Sequence, residues 1–165
     1  MSTVSTDKGS PWHAGELALQ EKVGVAAKMQ ELGRRVVRDY MPDQHRSFYR
    51  QLPFIVAGAV ADDGDVWATL VAGQPGFMQS PTEKILHMHV AADPQDPASG
   101  GMHEGAAIGL LGIELDTRRR NRLNGLLRGA TSQGFDVEVI QSFGNCPQYI
   151  QARDFEFIRA RGLDV

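Results

Sequence analysis

The sequence has little of several residue types, and each shortage narrows what the protein can be. Its 165 residues include one cysteine, Cys146, so no disulfide can form within the chain, and a reducing compartment is expected. No run approaches the roughly 18 apolar residues that a membrane helix needs. The segment MSTVSTDKGSPWHAGE lacks a basic region followed by an apolar one, so it does not resemble a signal peptide. The sequence therefore predicts a cytoplasmic protein with no membrane partner.

Basic charge is also scarce, and what there is comes mainly from arginine. The chain has 13 Arg and 4 Lys against 20 acidic residues, for a formal net charge of −3. Proteins that bind nucleic acid usually carry a strong basic excess, so nucleic acid is not expected as a partner. Arg118, Arg119, Arg120 and Arg122 nevertheless stand together. Because guanidinium groups form bidentate hydrogen bonds with phosphate or carboxylate, this cluster indicates a small anionic ligand.

The first third of the chain has helical periodicity. Apolar residues recur every three or four positions over 16–34, which predicts a helix there. A second, shorter helix is expected to begin at Pro42, with Phe48 and Leu52 facing inward. Residues 1–9 are small and polar and are expected to be frayed. The length suits a single domain.

From residue 53 the pattern changes to short alternating or apolar runs separated by turns. Short turns join antiparallel neighbours, since a parallel crossover needs a dozen or more residues. Six such strands with two helices predict a small closed or partly closed barrel. The long segment 91–105 is rich in Asp, Pro and Gly, and we expect it to be mobile and outside the barrel. The six predicted strands are 54–60, 66–72, 85–90, 106–115, 121–127 and 135–141.

Two histidines, His87 and His89, are expected on one face of a strand. They could share a metal ion if a third ligand came from His103, Glu104 or His45. No established metal-ligand spacing occurs, so we favour the alternative that they line a polar face or an interface. No metal site is therefore predicted.

Cys146 stands before Pro147 in the segment GNCPQYI. A nucleophilic cysteine needs a neighbouring base and an electropositive setting, and the local sequence supplies neither. We therefore expect Cys146 to be a buried structural thiol at the start of a helix.

Two further segments could contact an anion. The turn 73–76 follows a predicted strand, and its main-chain N–H groups could form a phosphate-binding nest, although an ordinary hairpin turn is the simpler interpretation. In strand geometry, Arg120 and Arg122 point to one face, while Arg119 and Asn121 point to the other.

Three motifs together resemble the pyridoxamine 5′-phosphate oxidase-like, FMN-binding split-barrel family. They are PFIVAGAVADDGDVWATLVAGQPGF (53–77), IGLLGIELDTRRRNRLNG (108–125) and QSFGNCPQYIQ (141–151), and the similarity extends over about residues 50 to 151. The leader segments 10–16 and 38–49 are similar to one largely uncharacterised subgroup. The resemblance implies a mainly β fold with flanking helices, a six-stranded antiparallel split barrel. It also implies a homodimer that holds FMN in grooves at the subunit interface.

The resemblance also implies domain boundaries and a set of cofactor-binding residues. An N-terminal helical leader would occupy 1–52, the split barrel 53–151 and a C-terminal extension 152–165. The end of the second strand would contact the flavin ring and ribityl chain, the next turn would lie near the phosphate, and a later strand would add polar contacts. The turn carries no cation, so we expect Arg120 and Arg122 to bind the phosphate together. The implied cofactor-binding residues are Trp67, Ala68, Thr69, Gly73, Gln74, Arg120, Asn121 and Arg122.

The expected function is that of an FMN-binding flavoprotein, an oxidoreductase acting on a small-molecule redox substrate. No catalytic residue is indicated by the sequence, and neither is the substrate. The alternative is a barrel without flavin that serves as a binding or structural module, which the missing cation in the turn favours.

Overall fold

Three helices precede a β-sheet in this computed structural model, which describes residues 10–146 and 148–156. Helix α1 spans Ala14–Lys22, α2 Ala26–Val36 and α3 Asp43–Gln51. The single helix predicted over 16–34 is thus two helices. Gly24 lies between them with φ +72°, a left-handed conformation that ends a helix. The prediction that residues 1–9 are frayed concerns residues outside the described ranges.

Seven antiparallel strands form one sheet in the order β2-β1-β5-β6-β7-β4-β3. The predicted mainly β, antiparallel split-barrel architecture is confirmed, with seven strands instead of six. Within the described ranges no pairing joins the two edge strands, β2 and β3, so the sheet stays open between them. The strands are β1 Phe54–Val60, β2 Val66–Ala72, β3 Met78–Thr82, β4 Ile85–Met88, β5 Ala107–Ile113, β6 Arg120–Thr131 and β7 Gly134–Asn145.

Helix α3 covers the inner face of this curved sheet. Its residues Phe48 and Tyr49 are buried, as is Leu52 just after it. They lie against Gly112 of β5, where an added Cβ would stand 2.7 Å from the Phe48 ring and 2.8 Å from Leu52 Cδ1. Within the segment 1–52 that the sequence assigned to the leader, Phe48, Tyr49 and Leu52 belong to the same buried cluster as the strand residues.

A β-bulge in β7 changes which residues point into the core. Asn124 pairs with Gln141 and Gly125 with Val139, so Ile140 has no partner on β6. Before the bulge every second residue up to Val139 is buried, and after it the next buried residue is Ser142, three positions later. The shift brings Ser142 Oγ within 2.8 Å of His45 Nδ1 on α3, inside the core.

The segment 91–105 packs against the barrel, and the expectation that it lies outside is wrong. It contains a 3₁₀ helix, Pro97–Gly101, and buries Ala98 and Met102. Asp96 accepts hydrogen bonds from the Ala98 amide and from the Thr69 hydroxyl of β2. A few small and apolar side chains are thus enough to pack this mostly polar segment against β1 and β2.

Among the described residues, none of the helices combines the length and apolar character needed to span a membrane.

Candidate functional site

The residues predicted to bind the cofactor are divided between the two faces of the sheet. Successive side chains along a strand point to opposite faces. Ala68, Arg120 and Arg122 therefore lie on the outer face, remote from the α3 core. Asn121 is buried on the inner face while Arg122 is exposed, which confirms the predicted opposition of these neighbours. A ligand on the outer face thus has access to only part of the predicted set.

The inner members of the set are occupied with other contacts. Trp67 and Thr69 share the inner face of β2 with buried Val71. The Thr69 hydroxyl donates to Asp96 of the docked loop. Trp67 is 40% exposed at the open edge of the sheet.

The outer face carries a floor made of very small residues. Ala68 of β2 pairs with Gly58 of β1, which pairs with Gly109 of β5. An added Cβ at Gly58 would approach only backbone oxygens, at 3.8 Å or beyond, and one at Gly109 would lie 3.6 Å from Asn124 Oδ1. Three adjacent strands therefore present nearly bare backbone, a surface that a flat ring system can approach closely.

Apolar side chains border this floor and are open to solvent. Val66 is 78% exposed, Leu70 65% and Val60 53%, and all three lie on β2 or β1. The next row across the outer face contains Leu70, Val56 and Leu111. Such a continuous apolar surface is typical of a ligand or partner contact.

The arginine cluster separates in space. Arg122 is exposed and makes no ion pair with any residue in the described ranges; it lies between Leu111 and Phe143. Arg120 donates from Nη2 to the Cys146 carbonyl at 2.6 Å. Arg119 faces Glu114 and stacks over the Phe48 ring, 5.2 Å from its centroid. Arg122 is therefore the most available cation beside the floor.

The main-chain N–H groups of the turn after β2 already donate to carbonyl groups of this chain. The Gly73 amide donates to Pro53, the Gly76 amide to Arg50 and the Phe77 amide to Gln74. A Cβ at Gly73 would meet the Phe77 side chain at 2.7 Å, so packing explains this glycine. The turn has the hydrogen bonding of an ordinary connection and leaves few donors for a phosphate nest.

The prediction that Cys146 is a buried thiol at the start of a helix is wrong. Its side chain is exposed, and no helix begins among residues 148–156. The chain instead makes a turn in which Tyr149 has φ +68°. Because β7 ends at Asn145, Cys146 has already left the sheet and its core.

The structure does not bring His45 or His103 to the two strand histidines. His45 is buried in the core, and His103 lies near Asp62 at 3.4 Å. No group of three or more potential ligands suited to a metal occurs in residues 10–146 and 148–156. His87 instead bonds through Nδ1 to Asp136, its cross-strand neighbour, and its Nε2 lies 3.2 Å from His89 Nδ1.

These histidines line a cleft that the sequence did not reveal. The cleft has a volume of about 540 Å³ and lies between α3 and the β3–β4 hairpin. Arg46 and Arg50, one helical turn apart on α3, form one wall. Their spacing was visible in the sequence, but nothing there indicated which strand they would face. The other lining residues are Asp43, Ser47, Gln79, Ser80, Pro81, His87 and His89.

Two core groups have shifted pKa values. Burial lowers the pKa of His45, and the charges of Arg38 and Arg119 lower it further. Burial raises the pKa of Tyr49, so its hydroxyl stays protonated. Both groups are neutral parts of the core at physiological pH.

Comparison with solved structures finds the same fold at low sequence identity. HupZ from Group A Streptococcus is similar with a TM-score of 0.50 and 11% identity, over 69% of this chain and 100% of that one. A single-residue variant of HupZ gives 0.50 and 10%, over 64% and 99%. An FMN-binding protein from Syntrophomonas wolfei gives 0.48 and 8%, over 76% and 96%. No protein-family model and no curated protein matches the sequence. At this sequence identity, the similarity to the two HupZ structures shows the fold alone.

Proposed function

We propose that the protein binds FMN on the outer face of β2, β1 and β5 and acts as a flavin-dependent oxidoreductase on a small-molecule substrate. The observation that carries this proposal is the floor formed by Ala68, Gly58 and Gly109. A planar ring loses little and gains extensive dispersion contact when it lies on a surface without side chains. The motifs that resemble the split-barrel family include all three residues of the floor.

Arg122 supplies a cation beside this floor, on the neighbouring strand β6. Gly109 pairs with Asn124 on β6, and Arg122 lies on the same strand two residues before Asn124, with its side chain on the same face. A phosphate monoester carries close to two negative charges, and burying it without a cation is costly. Arg122 makes no ion pair within the described residues, so its guanidinium can bind a phosphate without first giving up another charge. Arg120 has a second role, because it holds the Cys146 carbonyl.

A bound flavin would supply the electron and hydride transfer. In this proposal, the floor orients the ring and the arginine fixes the phosphate. No described residue of this face is assigned as an acid or a base.

We further propose that a second copy of the chain covers the same face. Val66, Leu70 and Val60 expose large apolar surfaces beside the floor. Removing such surface from water is favourable by roughly 25 cal/mol per Å². A homodimer across this face would bury these side chains and enclose the flavin between subunits, and light scattering of the purified protein tests it.

The alternative function is that of a flavin-free split barrel that binds another molecule. The turn after β2 favours it, because it contains no cation and uses its Gly73, Gly76 and Phe77 amides internally. The two functions differ in one direct property, the retention of FMN.

The test is FMN binding by the purified protein and by two variants. Gly109→Val fills the floor, and Arg122→Gln removes the cation. Ala130→Val, on an exposed part of β6, and Arg35→Gln, on exposed α2, are the matched controls. We expect Gly109→Val to abolish flavin retention on gel filtration. Arg122→Gln should weaken FMN binding by about 10-fold or more, which corresponds to one charge-assisted hydrogen bond, and the controls should bind normally.

Two results would contradict the proposal. Full flavin retention by Gly109→Val would mean that the ring lies elsewhere. Failure of the unaltered protein to bind FMN in excess would favour the flavin-free alternative.

A further inference from the structure

The cleft between α3 and the β3–β4 hairpin is separate from the proposed flavin face. Its strands are β3 and β4, whereas the floor lies on β2, β1 and β5. Three steps across the sheet separate β5 from β4, or about 14 Å at 4.7–4.9 Å per step. Its chemistry is also different, because cations and hydrogen-bond donors line it in place of apolar side chains.

Arg46 gives the cleft a fixed cationic wall. Its guanidinium donates to Asp43 at 3.1 Å and to the Ser80 carbonyl at 2.8 Å, which ties α3 to β3. Arg50 follows one turn later and is exposed, with no ion pair or side-chain hydrogen bond in the described part of the chain. One arginine therefore builds the wall, while the other is available to a ligand.

A hydrogen-bond chain from Asp136 holds the two histidines in place. The Asp136 carboxylate accepts from His87 Nδ1, and His87 Nε2 lies 3.2 Å from His89 Nδ1, so a single proton joins the two rings. The remaining nitrogen, His89 Nε2, makes no hydrogen bond in the described part of the chain. His89 lines the cleft on the β-strand side, across from Arg50 of α3.

We propose that this cleft binds the phosphate group of a small molecule, with the Arg50 guanidinium as the cation and the His89 ring as the second contact. Ser47 and Gln79 line the same space and offer neutral donors. Of the nearby anions, Asp43 is paired with Arg46 and Asp136 with His87. The guanidinium of Arg50 and the ring of His89 thus line the same cleft, and an arginine can bind a tetrahedral dianion at two points. Because the proposed flavin site has its own cation in Arg122, the phosphate bound here belongs to a separate phosphorylated molecule.

The experiment is calorimetric titration of the purified protein with inorganic phosphate. Arg50→Gln and His89→Asn remove the two contacts, and the asparagine amide can still donate to His87. Arg35→Gln is the charge-matched control, because Arg35 is exposed on α2, outside the cleft. We expect phosphate binding by the unaltered protein, about 10-fold weaker binding by Arg50→Gln, and a similar loss for His89→Asn. Arg35→Gln should match the unaltered protein.

Competition with FMN tests whether the cleft serves a separate ligand. If FMN displaces phosphate and riboflavin does not, the cleft holds the flavin phosphate, and both the separate ligand and the phosphate-binding role of Arg122 are wrong. If saturating FMN leaves phosphate binding unchanged, the site serves a separate phosphorylated molecule. Absence of phosphate binding, or an equal loss in Arg35→Gln, would overturn the proposal. Neither result bears on the floor at Gly109, so a failure here is distinguishable from a failure of the proposed flavin site.

Discussion

Gly109 and Gly112 stand three residues apart on β5, and they show how different the two faces of the sheet are. Gly112 faces α3, where Phe48, Tyr49 and Leu52 occupy all the space that a side chain would need. Gly109 faces outward over open surface. A side chain at Gly112 would clash with the core, whereas a side chain at Gly109 would cover part of the outer face. The inner face thus contributes stability, and the outer face is available for binding.

The sharpest test of this contrast is the same substitution at both positions. Gly112→Val places methyl groups against two buried rings, and such overpacking costs about 1–3 kcal/mol. Gly109→Val adds a β-favouring residue to a strand without a clash. Thermal unfolding should show a lower midpoint for Gly112→Val, by roughly 2–4 °C for each kcal/mol lost. Equal midpoints for the two variants would remove the distinction between the faces.

A smaller effect concerns the pH response of the inner face. Because the pKa of His45 is lowered in the folded protein, the unfolded chain binds a proton more readily. Stability from His45 is therefore present above about pH 6.5, the usual histidine value, and is lost as the pH falls towards the folded pKa. His45→Asn, which can still bond to Ser142, should lose less stability than the unaltered protein between pH 7.5 and pH 5. Urea unfolding at both values measures this, and identical losses would exclude His45 as the cause.

The smallest effect on the fold is expected on the outer face. Leu70→Ser replaces a side chain that is 65% exposed, so the stability of the isolated subunit should change by no more than about 0.5 kcal/mol. The same change should shift the proposed dimer towards monomer in light scattering. Leu19→Ser, with the same exposure on α1, is the control and should leave the mass unchanged. A dimer that tolerates Leu70→Ser would have to form through another surface.

Local chemistry made much of the fold predictable. The hairpin of β1 and β2 has the predicted bounds, because apolar runs flank the turn Asp62–Asp65. The strand β3 was missed because Pro81 interrupts it, and an edge strand tolerates a proline that cannot donate to the sheet. Helix α2 became separate because one residue, Gly24, adopts a left-handed conformation.

The site was harder to predict, because it depends on which elements meet. Alternation along β6 correctly placed Arg122 opposite Asn121. No sequence pattern indicated that Arg50 of α3 would face His89, since these residues are brought together only by the packing of α3 against β3. For the same reason, the burial of Ala98 and Met102 could not be read from a segment whose composition is mostly polar.

The position of β7 in the sheet has a consequence for how the protein is made. Among the described strands it is the last along the chain, yet it pairs with β6 and β4, and Arg38 also pairs with it at Ser142. A nascent chain can therefore join β1, β2, β5 and β6 while β7 is still inside the ribosome. The β3–β4 hairpin can join the sheet only once β7 is available, and Asp136, the partner of His87, arrives with β7. During synthesis the apolar half of the sheet can assemble early, and the basic cleft is completed last.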